Sequence, residues 1–129
     1  KKEKYIVFTG GEPLLQLDEK LIDALHDCDF KIAIETNGTI MPPNGIDWIC
    51  VSPKKNADLL LKKGDELKLV YPQENFNPEQ FESFDFTHFS IQPMDGKELQ
   101  NNILKCVSYC IENPSWKLSL QTHKIIGVK

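Results

Sequence analysis

The sequence predicts an α/β fold built on a parallel sheet, and three observations predict it. Short apolar runs rich in valine, isoleucine and aromatic residues recur along the chain. Stretches with helical periodicity stand between several of them. Polar segments carrying glycine, proline and charge follow most of the runs. Strand, helix, strand repeated in this way implies right-handed crossovers and strands covered on both faces. With 129 residues, 40% of them hydrophobic, the chain suits one domain, since domains most often have roughly 100 to 150 residues.

The strand candidates in chain order are YIVFT (5–9), KIAIET (31–36), WICVS (48–52), LKLVY (67–71), HFSIQ (88–92) and KLSLQ (117–121). LDEKLIDALHDC (17–28) and GKELQNNILKCVSYCIEN (96–113) carry apolar residues at helical spacing, and 56–63 and 78–83 are shorter helix candidates. The connection TIMPPNGID (39–47) is too short and too broken by proline for a helix. Repeats, low-complexity tracts and linkers are absent from the sequence, so no internal boundary is expected.

Composition narrows the function. Fifteen basic against nineteen acidic residues give a formal charge of -4, with no basic stripe interleaved with aromatics. Nucleic acid is therefore not expected as a partner, while a small nucleotide remains compatible. No apolar run approaches the roughly 18 residues that span a bilayer, and KKEKYIVF does not read as a signal peptide. A soluble, cytoplasmic protein without membrane association is expected. Cys28, Cys50, Cys106 and Cys110 then read as free thiols, and Cys106 and Cys110, four apart on one helical face, as core residues.

The polar segments fall where parallel sheets bind ligands, at the carboxyl ends of strands. TGGEP follows the first run, ETNGT the second, SPK the third and QPMDG the fifth. Each has a structural reading: glycines and Asn37-Gly38 as turns, prolines as strand stops, Ser52 as a hydroxyl cap. Four such ends on one rim point instead to a binding site. Gly10 and Gly11 let a ligand approach the main chain, and Glu12 can accept hydrogen bonds from a cation. This set suits the zwitterionic amino-acid end of a ligand better than a phosphate, which the acid would repel. Neither GxGxxG nor GxxxxGK occurs. Among the histidines, His26 and His88 read as structural residues, whereas His123 follows the last strand at the rim as either a substrate contact or a capped loop residue.

TGGEPLLQ, ETNGT, SPK, SIQP and the terminal LSLQTHK, in this order, resemble the 7-carboxy-7-deazaguanine synthases of the radical SAM superfamily. The resemblance covers nearly the whole chain, and GGEP alone is shared across the superfamily. It implies an incomplete parallel βα barrel of the radical SAM type, lacking its first strand, as a single partial domain over residues 1–129. The implied reaction rearranges 6-carboxy-5,6,7,8-tetrahydropterin to 7-carboxy-7-deazaguanine on the route to queuosine, with S-adenosylmethionine, a 4Fe-4S cluster and Mg2+. The family's CxxxCxxC motif is not in this sequence, so the chain is expected to be the carboxyl-terminal part of a synthase. Cluster and Mg2+ ligands are expected outside it, and the chain alone is expected to be inactive.

Residue by residue, the resemblance assigns Gly11 to the methionine amino group, with Gly10 and Glu12 beside it. Ser52, Pro53, Lys54, Gln92, Pro93, Met94 and Asp95 become further S-adenosylmethionine contacts. Lys54 also reads as a plain surface lysine, and Asp95 as the cap of the helix that follows. Thr9, His123 and the terminal carboxylate of Lys129 are assigned to the pterin substrate. Glu35, Thr36 and Asn37 belong to the ETNG signature without an assigned partner. No metal ligand or catalytic residue is assigned within the chain; a flavodoxin-like electron donor and a homodimer are the implied partners. Two other readings stay open: a non-catalytic nucleotide-binding module, and an aldolase-like barrel working through a Schiff base on Lys54.

Overall fold

The apolar runs form the strands. In the computed structural model, which describes residues 2–127, the elements are β1 (Lys4–Phe8), α1 (Glu19–Asp27), β2 (Phe30–Thr36), β3 (Trp48–Val51), β4 (Lys63–Tyr71), β5 (Asp85–Pro93), α2 (Leu99–Glu112), β6 (Trp116–Leu118) and α3 (Thr122–Ile125). The six strands follow one another in chain order in one sheet. The pairs β1/β2, β2/β3, β3/β4 and β5/β6 are parallel. This is the α/β class that the alternating pattern predicts. Among the described residues, no helix is long and apolar enough to cross a membrane.

The chain groups into two compact units, residues 1–67 with 85–87, and residues 68–84 with 88–129. The core of the first follows from strand parity. Ile32, Ile34 and Thr36 alternate along β2 and are all buried, as period-two patterning requires. They meet α1, whose Asp18 cap accepts a hydrogen bond from Leu21 N–H at 2.9 Å and whose Ile22 points inward. Leu14, Leu17, Ile22, Ile32 and Ile34 form this core, with Ile6, Phe8, Leu25 and Ile49 packed on it. In the second unit, α2 buries Cys106 and Asn102. Trp116 opens β6 almost fully buried, packs against Phe89 and Tyr109, and donates its indole N–H to Glu82 at 3.0 Å.

Three expectations shift. The candidate helix over 56–63 does not form: Leu60 and Leu61 both donate their N–H groups to Gly38 O, at 2.9 and 3.0 Å, and β4 already begins at Lys63. A helix would have turned those donors onto its own preceding carbonyls. The candidate over 78–83 contracts to a single 3-10 turn, Pro78–Gln80. The last strand spans only Trp116–Leu118, ahead of the expected end. The proline-broken segment over 39–47 is irregular, as its sequence requires.

Candidate functional site

In the first unit, three strand ends are joined by one buried residue. After β1 the chain turns through Gly10 and Gly11, both at positive φ (71° and 55°), where glycine has no steric penalty. Glu12 then caps the 3-10 turn Pro13–Leu15 through an Oε2 that accepts from Leu14 N–H at 2.9 Å. Its other oxygen, Oε1, accepts from Thr36 Oγ1–H at 2.7 Å and from Asn37 N–H at 2.8 Å. Thr36 Oγ1 in turn accepts from Gly38 N–H at 3.2 Å. The Thr36 carbonyl accepts from Ser52 N–H at 2.8 Å. Asn37 Oδ1 closes the turn by accepting from the N–H and hydroxyl of Thr39.

This gives Glu12 work that the sequence reading does not assign. A carboxylate offers about four acceptor sites, and the chain itself fills three of them. The charge is anchored inward, and the outer surface of the loop is left to the glycine pair. Gly10 and Gly11 are exposed, with nothing within 4 Å of where a side chain would begin. Beside them lies a hollow of about 280 Å³ lined by Phe8, Thr9, Gly10, Gly11, Glu12 and Leu17, among others. Thr9 is exposed at its edge, Ser52 is half-buried, Pro53 is buried and Lys54 is exposed.

In the second unit, β5 ends at Gln92 and Pro93. Met94 N–H donates to Tyr71 O at 2.9 Å, and Met94 O accepts from the buried Asn102 amide at 3.0 Å. This pins QPMD through its backbone and leaves the Gln92 and Met94 side chains half-buried. Asp95 does not cap α2. Its Oδ1 accepts from Gly96 N–H at 2.9 Å, and the helix starts at Leu99 with Glu98 at the cap position. His123 is exposed on α3. Lys129, assigned to the substrate through its carboxylate, lies outside the described residues.

Outside the rim, His26 Nε2 meets Asp47 Oδ2 at 3.0 Å, the structural role expected of it. Cys106 is buried, its Sγ 3.6 Å from Tyr71 O, and burial pushes its thiol up to about 12. No disulfide joins any of the four cysteines. Among the described residues, no three His, Cys, Asp or Glu side chains converge to hold a metal ion.

No protein-family model matches the chain. Curated relatives do. The chain is 56% identical over 126 residues to the 7-carboxy-7-deazaguanine synthase of Bradyrhizobium diazoefficiens, and 56% identical over 126 residues to that of Bordetella pertussis. Each match covers 98% of this chain and 60% of the relative. A more distant synthase, from Synechocystis, is 31% identical over 135 residues. Among solved structures, the crystal structure of QueE from Escherichia coli superposes with a TM-score of 0.73 at 26% identity, over 92% of this chain and 56% of that one. The chain thus spans about 60% of the length of the curated relatives it matches. The resemblance carried by its motifs holds along almost all of its own length, and it is to the 7-carboxy-7-deazaguanine synthases that this chain is similar.

Proposed function

We propose that the chain is the part of a 7-carboxy-7-deazaguanine synthase that carries the GGEP and SPK segments of its S-adenosylmethionine site. The observation that carries this reading is the match to synthases over 98% of the chain. The geometry of the first unit supports it. An exposed glycine pair with open space in place of side chains suits the close approach of an ammonium group to main-chain carbonyls. A neighbouring carboxylate held by the chain keeps the local field negative, which favours that ammonium and disfavours a phosphate.

In this reading, within the first unit, Gly11 receives the methionine amino group with Gly10 and Glu12 beside it, Ser52 meets a ribose hydroxyl, and Lys54 neutralises a carboxylate. Pro53 is a further contact of the first unit, and Gln92, Pro93, Met94 and Asp95 are the contacts assigned to the second. Thr9 and His123 are assigned to the substrate, 6-carboxy-5,6,7,8-tetrahydropterin. When bound, S-adenosylmethionine supplies the radical chemistry of the ring contraction; this chain's residues bind, orient and exclude water. The product is 7-carboxy-7-deazaguanine, on the route to queuosine, by a carbon-nitrogen lyase of the radical SAM class. The iron-sulfur and Mg2+ ligands belong to the remainder of such an enzyme. Four cysteines outside any disulfide suit the reducing cytoplasm. A flavodoxin-like electron donor and a homodimer complete the proposal.

The test is made on the full-length gene product. Anaerobic titration with S-adenosylmethionine by calorimetry should give saturable binding, and incubation with the pterin and a reductant should give 7-carboxy-7-deazaguanine by mass spectrometry. Binding without product would favour a nucleotide-binding module. A borohydride-trapped adduct on Lys54 would favour the Schiff-base reading. Absence of S-adenosylmethionine binding would overturn the proposal.

A further inference from the structure

Thr36 ties together the loops after β1, β2 and β3. Its hydroxyl donates to Glu12 Oε1, its carbonyl accepts from Ser52 N–H, and its own strand leads into Asn37, whose N–H reaches the same Glu12 oxygen. It is 2% exposed. Parity puts it on the core face of β2 behind Ile32 and Ile34, where an aliphatic residue would satisfy packing. A hydroxyl there needs a partner, and it finds the carboxylate. The β-branch holds χ1 in a preferred rotamer, so the donor is aimed rather than free to rotate away.

We infer that Thr36 is a positioning residue of the S-adenosylmethionine site: it sets the glycine loop and the Ser52 loop against each other through one charge-assisted hydrogen bond and one backbone hydrogen bond. The inference rests on the proposed function and adds a residue that touches no ligand. Glu12 is the moving part. Without the Thr36 hydroxyl its carboxylate keeps Leu14 N–H and Asn37 N–H but loses its shortest contact, and Gly38 N–H loses its acceptor. The Gly10-Gly11 turn is then free to sample orientations that do not receive the ammonium, and ligand binding must select among them.

Two substitutions separate hydroxyl from shape. Thr36→Val keeps the branched volume and removes the donor, whereas Thr36→Ser keeps the donor and removes the methyl. In the full-length protein, calorimetric affinity for S-adenosylmethionine should fall about tenfold for Thr36→Val and stay within about twofold for Thr36→Ser, as expected when a charge-assisted hydrogen bond rather than packing is lost. Affinity for the pterin should change little in either. A merely structural role predicts the opposite order, since serine leaves the larger void, and it predicts matched losses for both ligands. Should Thr36→Val fail to fold, Thr36→Cys against Thr36→Ser carries the same test, because the two are nearly isosteric and the thiol is a weak donor. The cysteine variant should then bind S-adenosylmethionine several-fold more weakly than the serine variant. Equal affinities for hydroxyl and non-hydroxyl variants, or a serine variant as weak as valine, overturn the inference. A wild-type protein that does not bind S-adenosylmethionine would instead remove the reading on which it rests.

Discussion

Asp47 sits one residue ahead of β3 and carries an electrostatic role visible in its hydrogen bonds. Its carboxylate accepts from Ile32 N–H at 2.8 Å, meets His26 Nε2 at 3.0 Å, and lies 3.9 Å from Lys31 Nζ. The Ile32 backbone bond, followed by His26, holds its carboxyl below the ordinary value of 3.8. A depressed folded-state value means that this stabilisation is complete above the unfolded value and is lost as pH falls through the folded one. Asp47→Ala should therefore destabilise by about 1 kcal/mol at neutral pH, an amount discounted for the exposure of the pair. The difference from wild type should shrink below pH 3.8; urea melts at neutral and acid pH check it, and a difference independent of pH counts against the assignment. The cysteines divide the same way, by surroundings. Cys106, buried and pushed up to about 12, stays protonated at pH 8, while Cys28 is exposed. Iodoacetamide on the native protein should modify Cys28 first and Cys106 only after unfolding, read by peptide mass mapping.

At the scale of elements, Asp65 repeats the device of Asp47. Its carboxylate accepts from Ile49 N–H at 2.8 Å as Asp47 accepts from Ile32 N–H, so side chains extend the hydrogen bonding where β2 and β3 begin. This explains why β4 was only half legible. LKLVY has the apolar alternation of a strand, but the preceding Gly64, Asp65 and Glu66 do not, and Lys63 closes the helix candidate over 56–63. Its pairing is non-local, and no local pattern reports it. The same limit produced the false helix over 56–63, whose backbone donors are claimed by Gly38. That glycine was legible as a turn residue, yet its packing was not. At φ 76°, a Cβ on Gly38 would stand 2.5 Å from Leu59 Cδ1 and 2.9 Å from Val51 Cγ1. Gly38→Ala should cost about 2 to 4 kcal/mol, overpacking and left-handed strain together. Chemical denaturation measures it, and a loss under about 1 kcal/mol would show that Leu59 yields freely.

For the molecule as a whole, sequence order carried more than composition did. TGGEP, ETNGT, SPK and QPMDG could be placed at strand ends because short apolar runs precede them, and the structure puts each there. What the sequence could not supply was the joint: Thr36 reads as one letter of a signature until its parity in β2 shows that its hydroxyl is buried. Parity also exposes a liability. β1 is terminal in the strand order and hydrogen-bonds to β2 alone among the described strands. Ile6 and Phe8 turn toward the core, so the alternate residues Tyr5 and Val7 face away, 65% and 56% exposed. An unpaired strand edge with apolar side chains beside it is a template for pairing with another chain. The 129-residue chain expressed by itself should therefore bind the apolar dye ANS and form dimers or larger species whose population rises with concentration. Val7→Lys should lower both signals without altering the far-ultraviolet circular dichroism spectrum, because the residue lies off the core face and charge on an edge strand opposes pairing. Sizing with light scattering and dye titration read the outcome, and a strictly monomeric, dye-silent wild-type chain would overturn the expectation.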